Sequence, residues 1–135
     1  MNELTLDATI ENIETVTDFV NVQLEAINCP VKAQMQIDVA IDELFGNIAH
    51  YAYTPEVGLA TVRFDVEKDP PAVILTFIDN GVPYDPLAAE DPDVNLSASE
   101  RKIGGLGVFL VKKTMDDVSY QYKNGQNILR IVKYI

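Results

Sequence analysis

Ile103-Gly104-Gly105-Leu106-Gly107-Val108-Phe109-Leu110 sets three glycines directly before an apolar run with helical spacing. Glycine lets the backbone approach a ligand closely and reach conformations closed to other residues. The first turn of a helix leaves its N–H groups unpaired and aims the positive end of its dipole at whatever lies there. The combination suits a phosphate. It equally suits a tight lead-in to an ordinary helix, so its meaning depends on what the rest of the chain brings to it. Arg101 and Lys102, just ahead of the glycines, are the best local candidates for countering phosphate charge.

Residues 82–103, before the glycines, hold Val82-Pro83, Asp85-Pro86, Asp91-Pro92 and Ser97-Ala98-Ser99 and show no period. A long unpatterned segment inside a compact domain reads as a lid or binding loop, with one helical turn expected over 86–90. Upstream of it, 72–78 is an apolar run that predicts a central strand, and it ends in Asp79-Asn80-Gly81. An acidic residue at a strand end beside a glycine turn is well placed to meet a ligand, or is a plain turn. Residues 59–67 alternate and predict an antiparallel partner across the Lys68-Asp69-Pro70-Pro71 turn.

The helix predicted over 31–52 has an expected buried stripe of Met35, Ile37, Val39, Ile41, Leu44, Phe45 and Ile48. Asp38, Asp42, Glu43, Asn47 and His50 interrupt it. Glu43 and Asn47 are one turn apart and share a face. Asparagine is a poor residue for a helix interior. Asn47 therefore either bonds to backbone or joins Glu43 in facing a ligand cavity. At the N-terminus, residues 2–7 predict a short strand, and Asp7 or Thr9 a cap. A helix of about 18 residues then follows the spacing of Ile10, Ile13, Val16, Val20, Leu24 and Ile27, with Phe19 beside them. Pro30 ends it.

Past the glycines, a helix over 106–115 offers Val108, Phe109, Val111 and Met115 for packing. Strands at 118–122 and 127–134 are joined by a turn with a strong Asn124-Gly125 hairpin signal. The order strand, helix, helix, two strands, loop, helix, two strands predicts an α+β two-layer sandwich. About three helices should cover one face of a mostly antiparallel sheet of about five strands, in a single domain spanning 1–135.

Composition narrows the partners. Of 135 residues, 21 are acidic and 10 basic, a formal charge of -11. That argues against nucleic acid and anionic membrane surfaces, although backbone amides and a metal ion can still hold a nucleotide in a local pocket. Cys29 is the single cysteine, which rules out an internal disulfide or a cysteine metal cluster. No signal peptide and no run of 18 apolar residues is visible, and a cytoplasmic protein is expected.

Three stretches carry a family resemblance that spans essentially the whole chain. Asp42-Glu43-Leu44-Phe45-Gly46-Asn47-Ile48-Ala49-His50-Tyr51-Ala52-Tyr53 resembles the asparagine box of the gyrase, Hsp90, histidine kinase and MutL ATPases, the Bergerat fold. Asp79-Asn80-Gly81-Val82-Pro83-Tyr84-Asp85-Pro86 resembles their first glycine box, and Gly104-Gly105-Leu106-Gly107-Val108-Phe109-Leu110 the second. The aromatic-Asp-Pro of the first glycine box narrows the resemblance to the bacterial serine-protein kinase/anti-sigma factor group, the RsbW/SpoIIAB-like proteins. The resemblance implies ATP and Mg2+ as cofactors. It implies Asn47 as the metal ligand, Asp79 as acceptor of the adenine amino group, and Gly81 as the place where backbone passes the base. Gly104, Gly105, Leu106 and Gly107 join the cofactor-binding set, with Gly105 and Gly107 under the phosphates and residues 82–103 as the ATP lid. Glu43 is implied as general base, taking the proton of a serine on a STAS-type anti-anti-sigma partner. A sigma factor is the second implied partner and a homodimer the implied assembly.

Two departures stand out. His50 sits one place before the position, Tyr51, where the group commonly has histidine. The first helix, Asn12 to Ala26, carries Glu14, Asp18 and Glu25 and no basic residue, where many members have an arginine for their protein partners. The expected function is an ATP-dependent protein-serine kinase that also sequesters a sigma factor. The alternatives are a nucleotide-gated binding module with little or no kinase activity, and an ATPase that uses water in place of serine.

Overall fold

The strand predicted to be central is the middle one of five. The computed structural model describes residues 2–88 and 105–135. β1 (Asn2–Asp7), β2 (Leu59–Lys68), β3 (Pro71–Asp79), β4 (Asp117–Lys123) and β5 (Gln126–Tyr134) form one sheet in the order β1-β2-β3-β5-β4. Every neighbouring pair is antiparallel. α1 (Ile13–Ala26), α2 (Val31–Asn47) and α3 (Gly105–Thr114) pack on one face, with α2 touching both of the others. This is the predicted α+β two-layer sandwich.

Alternation along the strands builds the core. Val62 and Phe64 of β2, Val73, Leu75 and Phe77 of β3, and Leu129 and Ile131 of β5 turn one way and are buried. They meet Val16, Val20 and Leu24 of α1, Ile37, Ile41, Leu44 and Phe45 of α2, Val111 of α3, and Met115 just after it. On the opposite face of the sheet, Ala72, Ile74 and Val132 form a small second cluster. β3 is thus buried on both faces, which is why its sequence is a continuous apolar run rather than an alternation. The β4–β5 turn places both Asn124 (φ 54°) and Gly125 (φ 77°) in the left-handed region, as a two-residue hairpin of this type requires.

Some expectations need correction. Met35 and Val39 do not belong to the buried stripe of α2; they are 63% and 49% exposed. Ala33 and Ala40 take buried positions instead. At 100° per residue, positions 31, 35 and 39 form a stripe that points away from the sheet, while the small alanines lie against the core. α1 is not capped by Asp7 or Thr9. The chain enters it through a 3-10 turn at Ile10–Asn12 with no side-chain cap, and Asn12 Nδ2 donates back to the Asp7 carbonyl at 2.8 Å. Ile10 and Ile27, at the ends of the predicted apolar face, are exposed. The helix predicted to reach residue 52 ends as an α-helix at Asn47 and continues as a π-helical turn, Ile48–Ala52. The predicted helix over 86–90 is a turn at Asp85–Ala88 in its described part, held by Asp85 Oδ1 accepting from Leu87 N–H at 2.8 Å. The lid expectation beyond residue 88, and Arg101, Lys102 and Gly104, lie outside the described residues.

The corrected α2 face is testable by paired truncation. Phe45→Ala removes a fully buried ring and is expected to cost about 3–5 kcal/mol in urea unfolding, whereas Met35→Ala should stay within about 0.5 kcal/mol of the parent. A large loss at Met35 would contradict the placement of that side chain.

Candidate functional site

Asp79 ends β3, between Ala60 of β2 and Asn127 of β5 in the register of the sheet. It is 5% exposed. A buried carboxylate must be satisfied, and one oxygen is: Oδ1 accepts from Gly81 N–H at 2.9 Å and from Asn127 Nδ2 at 2.9 Å. The other oxygen, Oδ2, accepts no hydrogen bond from the described residues. Asn127, also 5% exposed, does more than hold Asp79. Its Nδ2 donates to the Val82 carbonyl at 2.8 Å, and its Oδ1 accepts from Tyr84 N–H at 3.1 Å and from the Tyr120 hydroxyl. One side chain therefore fixes both the carboxylate and the loop that follows it.

The end of α2 is fitted to the same loop. The wider π turn brings the Ala52 carbonyl to Val82 N–H at 3.0 Å. It also lays Ala52 against Gly81, where a β-carbon would fall 2.3 Å from the Ala52 oxygen. Gly81 is thus required by its own neighbour. Tyr53 adds a second tie, accepting from Asn80 N–H at 2.8 Å and donating to the Leu59 carbonyl at 2.6 Å. Its own burial pushes the phenol pKa up.

Asn47 and Asp79 line one cavity, floored by Phe77 and Leu129 and bounded by Tyr84 and Asn127. Its water-accessible space is about 30 Å³, room for one or two waters. A purine needs the Val82–Pro86 side to give way. Asn47 also lines a wider groove of about 520 Å³ with Glu43, Asp42, His50 and Tyr51. The helix-borne amide therefore separates a small cavity at the Asp79 end from an open groove at the Glu43 end. Tyr51 and Tyr84 lie across from one another with ring centroids 5.2 Å apart.

Glu43 is half-buried, and burial raises its pKa; the neighbouring Asn47 amide opposes the rise and Asp42 adds to it. Glu43 Oε1 and Asn47 Nδ2 are buried without hydrogen-bond partners. Two unpaired polar groups one helical turn apart fit a site that a polar ligand completes. The donor set suits an oxygen-seeking ion such as Mg2+, since the Asn47 amide can present its oxygen and Mg2+ often keeps several waters. Among the described residues no three His, Cys, Asp or Glu side chains converge, so such an ion takes its other ligands from water or from phosphate.

The structure thus brings Glu43, Asn47, Asp79 and Gly81 to one region and places Gly107 there too, because a β-carbon at Gly107 would strike the Glu43 carboxylate. Leu106, 38% exposed, lies in the same first turn of α3, which opens at Gly105. Sequence reasoning missed Asn127, Tyr53 and Tyr84. The one available sign was an asparagine at the start of an otherwise apolar strand, and its meaning needs the β3–β5 register.

Because folding raises the Glu43 pKa, the native state binds a proton more readily than the unfolded chain. The group is buried at no charge cost below its unfolded pKa, where it is the neutral acid, and stability is lost as pH rises through the folded value. Glu43→Gln is expected to raise the thermal midpoint by a few degrees at neutral pH, with the difference shrinking toward zero near pH 4. A variant less stable than the parent at pH 7 would contradict the burial of this carboxylate.

The family described as "Histidine kinase-like ATPase domain" matches residues 6–133. The serine/threonine-protein kinase BtrW of Bordetella bronchiseptica is 29% identical over 103 residues, 76% of this chain and 72% of that protein. The serine-protein kinase RsbW of Bacillus cereus is 31% identical over 101 residues, 72% of this chain. RsbW of Listeria monocytogenes is 32% identical over 104 residues, 73% of this chain. The chain spans 61% of the Bacillus protein's length and 64% of the Listeria protein's. With the match running from β1 to β5 across every element of the site, the chain belongs to the histidine kinase-like ATPase domain family and resembles its RsbW/SpoIIAB-like serine-protein kinases.

Proposed function

We propose that the protein is an ATP-dependent protein-serine kinase that phosphorylates a STAS-type anti-anti-sigma partner and sequesters a sigma factor when it does not. The observation that carries the reading is the placement of Asp79 and Asn47 on one cavity with Glu43 on the adjoining groove. Asp79 Oδ2 accepts the amino group of adenine, while Asn127 and the Gly81 amide hold Oδ1 and fix the angle of the carboxylate. The α3 N-terminus receives the phosphates. Asn47 would hold Mg2+, which when bound would supply neutralising charge at the phosphates. Glu43 takes the proton of the partner's serine as its oxygen forms a bond to the γ-phosphorus. The bond from that phosphorus to the β–γ bridging oxygen breaks, and ADP leaves. A base with an elevated pKa is suited to that proton transfer near neutrality.

A second reading is favoured by α1. Its exposed residues include Glu14, Asp18 and Glu25, and it has no basic side chain. On that reading the same pocket binds nucleotide and sets a protein-binding surface without transferring phosphate. Pairing of two copies through the sheet fits either one. No helix among the described residues is long and apolar enough to cross a membrane.

Two substitutions separate the readings. Asp79→Asn should weaken ATP and ADP binding by at least tenfold, about 1.4 kcal/mol, in titration calorimetry. Glu43→Ala should leave nucleotide affinity in place and abolish transfer of labelled γ-phosphate to a STAS protein. Phosphorylation that survives Glu43→Ala would overturn the base assignment, and a parent chain that binds ATP but transfers nothing would favour the second reading.

A further inference from the structure

The side chain of Glu43 crosses from α2 to the first turn of α3 and ends on Gly107. A β-carbon built at Gly107 falls 2.0 Å from Oε2, 2.2 Å from Cδ and 2.8 Å from Oε1 of Glu43. All three nearest atoms belong to that one carboxylate. Among the described residues its Oε1 is buried without a hydrogen-bond partner, so the close fit against Gly107 is what the described residues show holding that end of the side chain.

We propose that Gly107 is a positioning residue: the side chain it lacks is the seat in which the Glu43 carboxylate rests, beside Asn47 and facing the reaction groove. This rests on the reading of Glu43 as the base. It gives a reason for glycine at 107 other than close approach of a phosphate. The contrast with Gly81 is instructive. There a β-carbon meets the backbone of Ala52, which cannot yield without moving the π turn. At Gly107 it meets the far end of a flexible side chain, which can swing out by rotating about its own bonds at a cost of about 1 kcal/mol. Any side chain at 107 thus leaves the fold standing and turns the base away. A misplacement of about 1 Å in a reacting group is enough to cost a hundredfold in rate.

Gly107→Ala in the full chain tests this. The thermal midpoint should change little, because the clash is relieved by rotation of the Glu43 side chain without moving backbone. The NOEs expected in the parent between the Glu43 γ-protons and the Gly107 α-protons should be lost, because the carboxylate leaves its seat. Transfer of γ-phosphate to a STAS protein should fall in kcat by about ten- to a hundredfold. Adding Glu43→Asp, one methylene shorter, should make the two changes non-additive, the pair being more active than the product of the single effects predicts. Absence of Glu43–Gly107 NOEs in the parent, or a Glu43 side chain that does not move in the variant, would overturn the seat, whether or not the parent is a kinase. So would a loss of nucleotide affinity of tenfold or more with kcat unchanged, which is the mark of a phosphate contact. Failure of the parent to transfer phosphate defeats the kinase reading alone, and the NOEs still decide the role of Gly107.

Discussion

A carboxylate buried at the end of the central strand needs an answer from its neighbours, and Asn127 supplies it. Taking a lone carboxylate out of water costs several kcal/mol. Two hydrogen bonds to Asp79 Oδ1, each worth about 1.5–3 kcal/mol because the acceptor is charged, offset that cost while leaving Oδ2 for something else. The same Asn127 amide binds the Val82 carbonyl and the Tyr84 N–H. Strand pairing between β3 and β5, the position of the loop after β3 and the direction of the carboxylate are therefore a single arrangement. Burial of β3 on both faces makes it rigid.

The other half of the site is organised by the end of α2. Ordinary α-helical geometry carries Glu43 and Asn47 on one face; the π turn that follows shifts Ala52 against Gly81 and brings Tyr53 to the Asn80 amide. A widened turn beside a functional region is a common use of this geometry. What results is unfavourable locally. Glu43 Oε1 and Asn47 Nδ2 are buried without hydrogen-bond partners among the described residues, so the fold gives up stability at the place where a ligand would restore it. The wide groove at Glu43 and the small cavity at Asp79 meet at Asn47, which suits a long ligand with a flat end and a charged end.

Much of this was readable from residue order. The double-sided burial of β3, the hairpin at Asn124-Gly125 and the three-helix layer follow from period, turn chemistry and run length. Glu43, Asn47 and Asp79 stood out because each is polar where its element is apolar. Three things were hidden. Met35 and Val39 looked like core because they are large, yet they lie on the outer stripe, and Ala33 and Ala40 looked unimportant because they are small. Asn127 gave only the sign of a polar residue at a strand start, because strand register decides that it faces Asp79, and register is set by tertiary packing. Gly81 and Gly107 were recognisable as special, but the atoms a β-carbon there would meet, the Ala52 carbonyl and the Glu43 carboxylate, come from α2 and the turn that follows it. No local pattern names them.

The central claim is that Asp79, fixed by Asn127, and Asn47 face one nucleotide. Residue-resolved NMR with 15N-labelled protein, titrated with ADP and Mg2+ to millimolar concentration, tests it most directly. The account predicts saturable shifts concentrated at residues 79–84, at the backbone of Asn47 and at the side-chain amide of Asn127. Absence of saturable shifts, or shifts confined to α1 and the outer face of the sheet, would contradict it.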